Sequence, residues 1–200
     1  MDKFALLTRK DKRAYFEMAA ANLNVMPQLI EKDFWVCWIL KILFSLQGIG
    51  THLTFKGGTS LSKCYNVIKR FSEDVDISIE RPFLSGDRVI EPDKEKSNKE
   101  NRRRLKELQL VCKMKIDEMI LPGLKQAIAA VLSDNGEWKI KLDPEDANEQ
   151  TILFTFPYAM TSDAESYLRS SVKIEFGARS DHWPVETATI VPYIADVSSI

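Results

Sequence analysis

Apolar residues recur every third or fourth position early in the chain and every second position in much of its later half. From about Asp11 to Leu23, Tyr15, Met18, Ala19 and Leu23 fall on one side of a helix. Asn22-Leu23-Asn24 ends that helix, and Pro27 suits the first turn of the next, which runs to Leu46. In this second helix Ile30, Phe34, Trp38 and Ile42 form the apolar stripe, and Glu31, Lys32 and Asp33 are expected on its polar side. Gly48 and Gly50 close it. A short strand, Thr51 to Phe55, then leads through Gly57-Gly58 into a helix from Ser60 to Ile68, with Leu61, Cys64, Tyr65 and Ile68 inward. The next strand, Asp74 to Ile79, alternates cleanly. Val75, Ile77 and Ile79 point to the core, and Asp74, Asp76 and Ser78 point the other way.

Residues 91–133 read as a helical insertion with a basic face. Leu105, Leu108, Val111 and Cys112 make an apolar stripe that continues to Met119, and Leu121-Pro122-Gly123 precedes a second helical piece from Leu124 to Leu132. The remainder is rich in strands: Trp138 to Leu142, Gln150 to Tyr158 and Ser171 to Phe176, with Asp143 to Asn148 as a hairpin-type connection. Thr189 to Ile194 is expected as a last edge strand.

The 200 residues suffice for one substantial core, or one domain with a helical annex. With 44% hydrophobic and 28% charged residues the chain is of the folded, soluble type. The net charge of −1 excludes a nucleic-acid binder that works by overall charge, so any such contact needs a local patch. Lys94, Lys96, Lys99, Arg102, Arg103, Arg104, Lys106, Lys113 and Lys115 are the candidates, although a solvated helix face is the commoner origin of such a run. Three scattered cysteines, Cys37, Cys64 and Cys112, fit a reducing, cytoplasmic setting and no structural zinc. No signal peptide is expected at the amino terminus, and the apolar stretch Phe34–Leu46 is too short to span a bilayer.

The chemistry lies around residues 55–79. Two glycines followed by Thr59, Ser60 and Ser62 at a helix start can bring backbone amides and hydroxyls to phosphate oxygens. It is not a P-loop, because G-x-x-x-x-G-K-[ST] is absent. Asp74 and Asp76, two apart on a strand, present carboxylates on one face, where they repel unless a cation, a proton or water separates them. An exposed strand face would account for that pair alone. Phosphoryl or nucleotidyl transfer through metals usually needs a third carboxylate, and Glu175 is the best candidate, on a later strand of matching polarity. Lys173 beside it, with Lys56 and Arg70, can neutralise phosphate charge.

Gly57-Gly58-Thr59-Ser60-Leu61-Ser62 followed by Arg70-Phe71-Ser72-Glu73-Asp74-Val75-Asp76 resembles the AbiEii/AbiGii toxin family of nucleotidyltransferases, within the DNA polymerase β-like superfamily. Ile30 to Val36 is similar to that family's amino-terminal helix, and Lys173 to Arg179 to its third motif. The resemblance implies an α/β (α+β) fold, a mixed sheet flanked by helices, in a single domain over 1–200 with a helical part over 1–48 and the insertion at 91–133. It also implies a Mg²⁺-dependent toxin of the toxin–antitoxin or abortive-infection type, with two metals held by Asp74, Asp76 and Glu175. Nucleoside triphosphate would sit near Gly57, Gly58, Thr59, Ser60, Arg70 and Ser72. Some relatives add nucleotides to the tRNA acceptor end and others are described as GTP-binding, so the resemblance implies a tRNA or other RNA acceptor and a cognate antitoxin as candidate partners. Family members also run on into a carboxy-terminal helical region, which is expected to be missing from a chain ending at Ile200. Two further readings share the residues: a binding module that keeps the fold without the chemistry, and a transferase acting on a small molecule such as an antibiotic.

Overall fold

In a computed structural model, residues 1–64, 74–86, 97–133, 137–160, 170–178 and 185–196 are described. Strands β1 (Leu53–Lys56), β2 (Asp74–Ile79), β3 (Lys139–Leu142), β4 (Thr151–Thr155) and β5 (Ser171–Gly177) form a five-stranded sheet in the order β1-β2-β5-β4-β3. β2 and β5 are parallel, and the other neighbours are antiparallel. The sheet is therefore mixed, as the α+β expectation required. Alternation decides its two faces. Val75, Ile77, Ile79, Val172, Ile174, Phe176, Ile152 and Phe154 are buried on one face, and Asp74, Asp76, Lys173 and Glu175 share the other.

Helices α1 (Asp2–Ala5), α2 (Arg9–Leu23) and α3 (Pro27–Phe44) supply much of the core. Trp35 stacks on Phe156 with ring centroids 5.6 Å apart, and Trp38 on Phe154 at 5.9 Å. Thr8 caps α2, its hydroxyl accepting from the Asp11 amide, which supports the boundary read from the sequence within two residues.

The polar side expected for α3 is not solvated. Glu31, Lys32 and Asp33 are 3%, 2% and 0% exposed. Glu31 accepts backbone N–H bonds from Ala159 (2.5 Å) and Met160 (3.1 Å). Asp33 pairs with Lys63 and accepts from the Tyr193 amide at 2.7 Å. The two acids thus satisfy segments that arrive 128 and 160 residues later, so residues 30–40 of the helix are covered on all sides. Burial pushes the Glu31 carboxyl up, and the two amides oppose it.

Three further expectations change. Residues 50–52 form a 3-10 turn before β1, not the start of a strand. Thr189–Ile194 is not an edge strand. Pro192 has no N–H for a ladder, and the segment ends in a 3-10 turn, Tyr193–Asp196, held to α3 through Asp33. Leu121-Pro122-Gly123 does not break the insertion either. Helix α6 (Asn98–Lys115) passes through a π turn, Ile116–Ile120, into α7 (Leu121–Leu132), with Pro122 in the first turn, where its missing N–H costs little. Leu108, Cys112, Ile116, Ile120, Leu124 and Ile128 are all buried at a strict spacing of four. On a 3.6-residue helix that stripe drifts by about 40° per step. The wider π turn takes up part of the drift.

Helix α5 (Arg81–Ser85) follows β2, and α4 (Gly57–Lys63) joins β1 to the segment before β2. Within α4 the buried residues are Thr59 and Ser60, whereas Leu61, expected inward, is exposed. Tyr65 and Ile68 lie outside the described residues.

Candidate active site

Register brings the chemistry together. In the parallel pair Asp74 lies beside Lys173 and Asp76 beside Glu175, while Lys56 lies beside Asp76 on the other flank. Four charged residues widely separated in sequence thus occupy adjacent positions on one face of two central strands. The Lys173 ammonium bridges to Glu175 at 2.7 Å and is held above its usual range chiefly by that bond. Burial raises the Asp76 carboxyl, the charges of Glu175 and Asp74 raise it further, and Lys173 opposes them.

The glycine turn is fitted to this row. Gly57 has φ +74°, a conformation that side chains resist, and a methyl group built there would overlap the Asp76 carboxylate. Gly58 has open space around it. The Thr59 hydroxyl donates to the Asp74 carbonyl at 2.5 Å, and the Ser60 hydroxyl to the Gly57 carbonyl at 2.9 Å. Two of the three hydroxyls expected at phosphate, those of Thr59 and Ser60, therefore donate to the backbone, and tie α4 to β2 and close its first turn. Gly57→Ala should lower stability by about 1–2 kcal/mol in urea unfolding and displace the Asp76 side chain. Gly58→Ala should leave stability within about 0.5 kcal/mol.

Three adjoining hollows follow the row. The first, about 430 Å³, is bordered by Lys56, Gly57, Asp76 and Glu175, with Gln109 of α6 and Asn148 opposite. Ser78 borders it too; its hydroxyl is buried and has no partner among the described residues. The second, about 390 Å³, spans Asp146, Thr151, Lys173 and Glu175. The third, about 200 Å³, lies beside Lys32, Asp74, Asp143, Ser171 and Lys173.

Asp143, Asp146 and Lys32 were not among the residues singled out for chemistry in the sequence. The acids sit in the β3–β4 connection, where they read as turn formers. Asp143 accepts from the Glu145 amide at 3.0 Å. Asp146 accepts from the Asn148 and Gln150 amides and the Thr151 hydroxyl at 2.8–2.9 Å. Burial alone would raise Asp146, but those bonds and Lys173 outweigh it and lower its carboxyl. Arg70 and Ser72 lie outside the described residues.

Among the described residues no three acids, histidines or cysteines are already drawn together as a metal cage. The donor set nevertheless fits Mg²⁺, a hard ion that takes one or two carboxylates and keeps several waters. The crowding that raises Asp76 is what a cation between Asp74, Asp76 and Glu175 would relieve. No described helix is long and apolar enough to cross a membrane.

The structure is similar to that of MenT4, a nucleotidyltransferase toxin from Mycobacterium tuberculosis H37Rv, at 19% identity and a TM-score of 0.44. The likeness covers 92% of this chain and 48% of that protein, so the chain spans about half its length. No curated protein matched the sequence. The sequence profile described as Nucleotidyl transferase AbiEii toxin, Type IV TA system, matches residues 38–200. That match takes in the glycine turn, both aspartates and the Lys173–Glu175 strand, and the chain belongs to the AbiEii nucleotidyltransferase toxin family.

Proposed function

We propose that this protein transfers a nucleoside monophosphate from a nucleoside triphosphate to an acceptor hydroxyl, with the tRNA 3′ end as acceptor. The observation that carries the reading is the β2–β5 register, which sets Asp74, Asp76, Lys173 and Glu175 side by side above the glycine turn. The acceptor oxygen attacks the α-phosphorus, the bond to the β-phosphate oxygen breaks, and pyrophosphate leaves. Asp74, Asp76 and Glu175 would hold Mg²⁺, of the two-metal type, which would supply positive charge to offset the negative charge of the reacting phosphate. Glu175 would also take the proton of the attacking hydroxyl. Lys173, released from Glu175, turns to phosphate. Gly57 and Gly58 offer backbone amides to the triphosphate, and Thr59 and Ser60 fix that turn. The sequence resemblance alone adds Arg70 and Ser72 to the nucleotide site. Family membership supports a cognate antitoxin as partner. The unpaired cysteines, with the buried Cys37 and Cys112 thiols pushed up to about 12, suit the reducing cytoplasm.

The test is transfer of each labelled nucleoside triphosphate to bulk tRNA with Mg²⁺, with the Asp74→Ala, Asp76→Ala double variant as control. Equal labelling by that variant refutes the site. The charge-rich helix adds little to this picture. Arg103 pairs with Glu100, and Arg104 with Glu100 and Glu107, so much of its positive charge is offset locally. Replacing Arg102, Arg103 and Arg104 by alanine should change RNA affinity less than about threefold in a filter-binding assay. A collapse of binding would favour a module that binds RNA through α6.

A further inference from the structure

The carboxylate row has two ends with different neighbours. At the Asp76 end the first hollow is bordered by Lys56 and Gly57, and neither Asp74 nor Lys32 reaches it. At the Asp74 end lies the small pocket beside Lys32, Ser171 and Lys173, which neither Gly57 nor Asp76 borders. Lys32 comes from α3, a helix otherwise given to the core, and is 2% exposed. So buried a lysine is rare, because its ammonium must exchange water for other polar partners. Its long stem can run through apolar surroundings while its head stays at a polar pocket.

In-line displacement places the attacking and leaving oxygens on opposite sides of the phosphorus. With the triphosphate tail at the glycine turn, the acceptor approaches from the Asp74 end. A strand whose terminal hydroxyl reaches the row then carries its last phosphodiester into the Lys32 pocket. We propose that Lys32 forms a phosphate subsite for the acceptor strand at the Asp74 end of the row, with Lys173 lying between it and the nucleotide site. This rests on the transferase reading above. The subsite fixes the register of the strand and reads no base. Asp143 and Glu145 also border the pocket, so it carries net negative charge without a cation. Binding is therefore measured with Mg²⁺ present.

The probe is an eight-residue oligoribonucleotide with a 5′ fluorophore and a free 3′-hydroxyl, followed by fluorescence anisotropy. Each nucleoside triphosphate is titrated separately by calorimetry. Lys32→Gln should weaken the oligonucleotide about tenfold and leave nucleotide affinity within about twofold, and Lys32→Arg should restore most of the loss. Ser171→Asp, which adds negative charge to the same pocket, should weaken the oligonucleotide similarly. Replacing the last phosphodiester by an uncharged methylphosphonate should cost the native protein about tenfold and Lys32→Gln almost nothing.

Weaker nucleotide binding with unchanged oligonucleotide binding overturns the assignment, as does a methylphosphonate penalty equal in both proteins. Should Lys32→Gln lose its thermal transition, Ser171→Asp decides, and unchanged binding there overturns the subsite. Native protein that binds the oligonucleotide through Lys32 but transfers no label refutes the transferase reading and leaves the subsite standing. Native protein that binds no oligonucleotide overturns the subsite.

Discussion

Asp76→Asn should reduce nucleotidyl transfer by at least about 10³-fold and raise the melting temperature. The first effect follows from the metal role proposed for Asp76: a neutral amide is a poorer ligand for a hard cation than a carboxylate, and single charge-stabilising groups commonly contribute about two to three orders of magnitude. The second follows from the environment of the carboxyl. Burial and the charges of Glu175 and Asp74 raise its pKa in the folded protein above the value of 3.8 expected in the unfolded chain. The folded state therefore binds the proton more tightly, and stability falls as pH rises from the unfolded value through the folded one. Above that window the ionised carboxylate is a full burden on the fold, and the neutral amide removes it. Paired thermal melts and labelled-nucleotide assays at pH 7 test both. A variant that is inactive but less stable would contradict the strain assigned to this residue. Activity gained at the expense of stability is the usual trade at such sites.

Asp33→Ala should cost about 3–5 kcal/mol, because it leaves the Lys63 ammonium buried without its counter-charge. The Lys63 side chain is 6% exposed and that of Asp33 is fully buried. Lys63 also lies 3.6 Å from the centroid of the Tyr193 ring, and Asp33 accepts the Tyr193 amide, so one pair joins α3, α4 and the 185–196 segment. Replacing both partners, Asp33→Leu with Lys63→Met, should recover most of the loss, since two apolar side chains of similar volume need no desolvation. Urea unfolding of the two variants decides. A double variant as unstable as the single one would show that the hydrogen bond to Tyr193, not the charge pair, carries the stability.

The sheet was legible because alternation is local. Asp74 to Ile79 and Ser171 to Phe176 each declare a charged and an apolar face over six residues, and pairing those faces places Asp76 beside Glu175. The glycine turn was legible for a similar reason, though not the detail that Gly57 leaves room for Asp76, which depends on a residue 19 positions away. What escaped depends on partners from distant segments. Glu31-Lys32-Asp33 has the pattern of a wet face, and only the return of residues 159, 160 and 193 shows that it is covered. Hydrophobicity points Leu61 to the core, but Thr59 and Ser60 take the inner positions, with their hydroxyls bonded to the backbone. Thr189 to Ile194 has strand-forming residues, yet a strand also needs a free edge. Pro192 withholds an amide, and the segment docks on α3 instead.

The central β2–β5 pair also sets a clock. About 90 residues separate the end of β2 from the start of β5, yet the two strands are neighbours in the middle of the sheet. At a synthesis rate of about 5–20 residues per second, several seconds pass between the emergence of Asp76 and that of Glu175. Until then β2 has β1 as a partner and β4 has β3, two separate pairs with a gap where the middle strand belongs. The carboxylate row cannot assemble during that interval, so a ribosome making this toxin-family chain carries no finished site until its last strands have emerged.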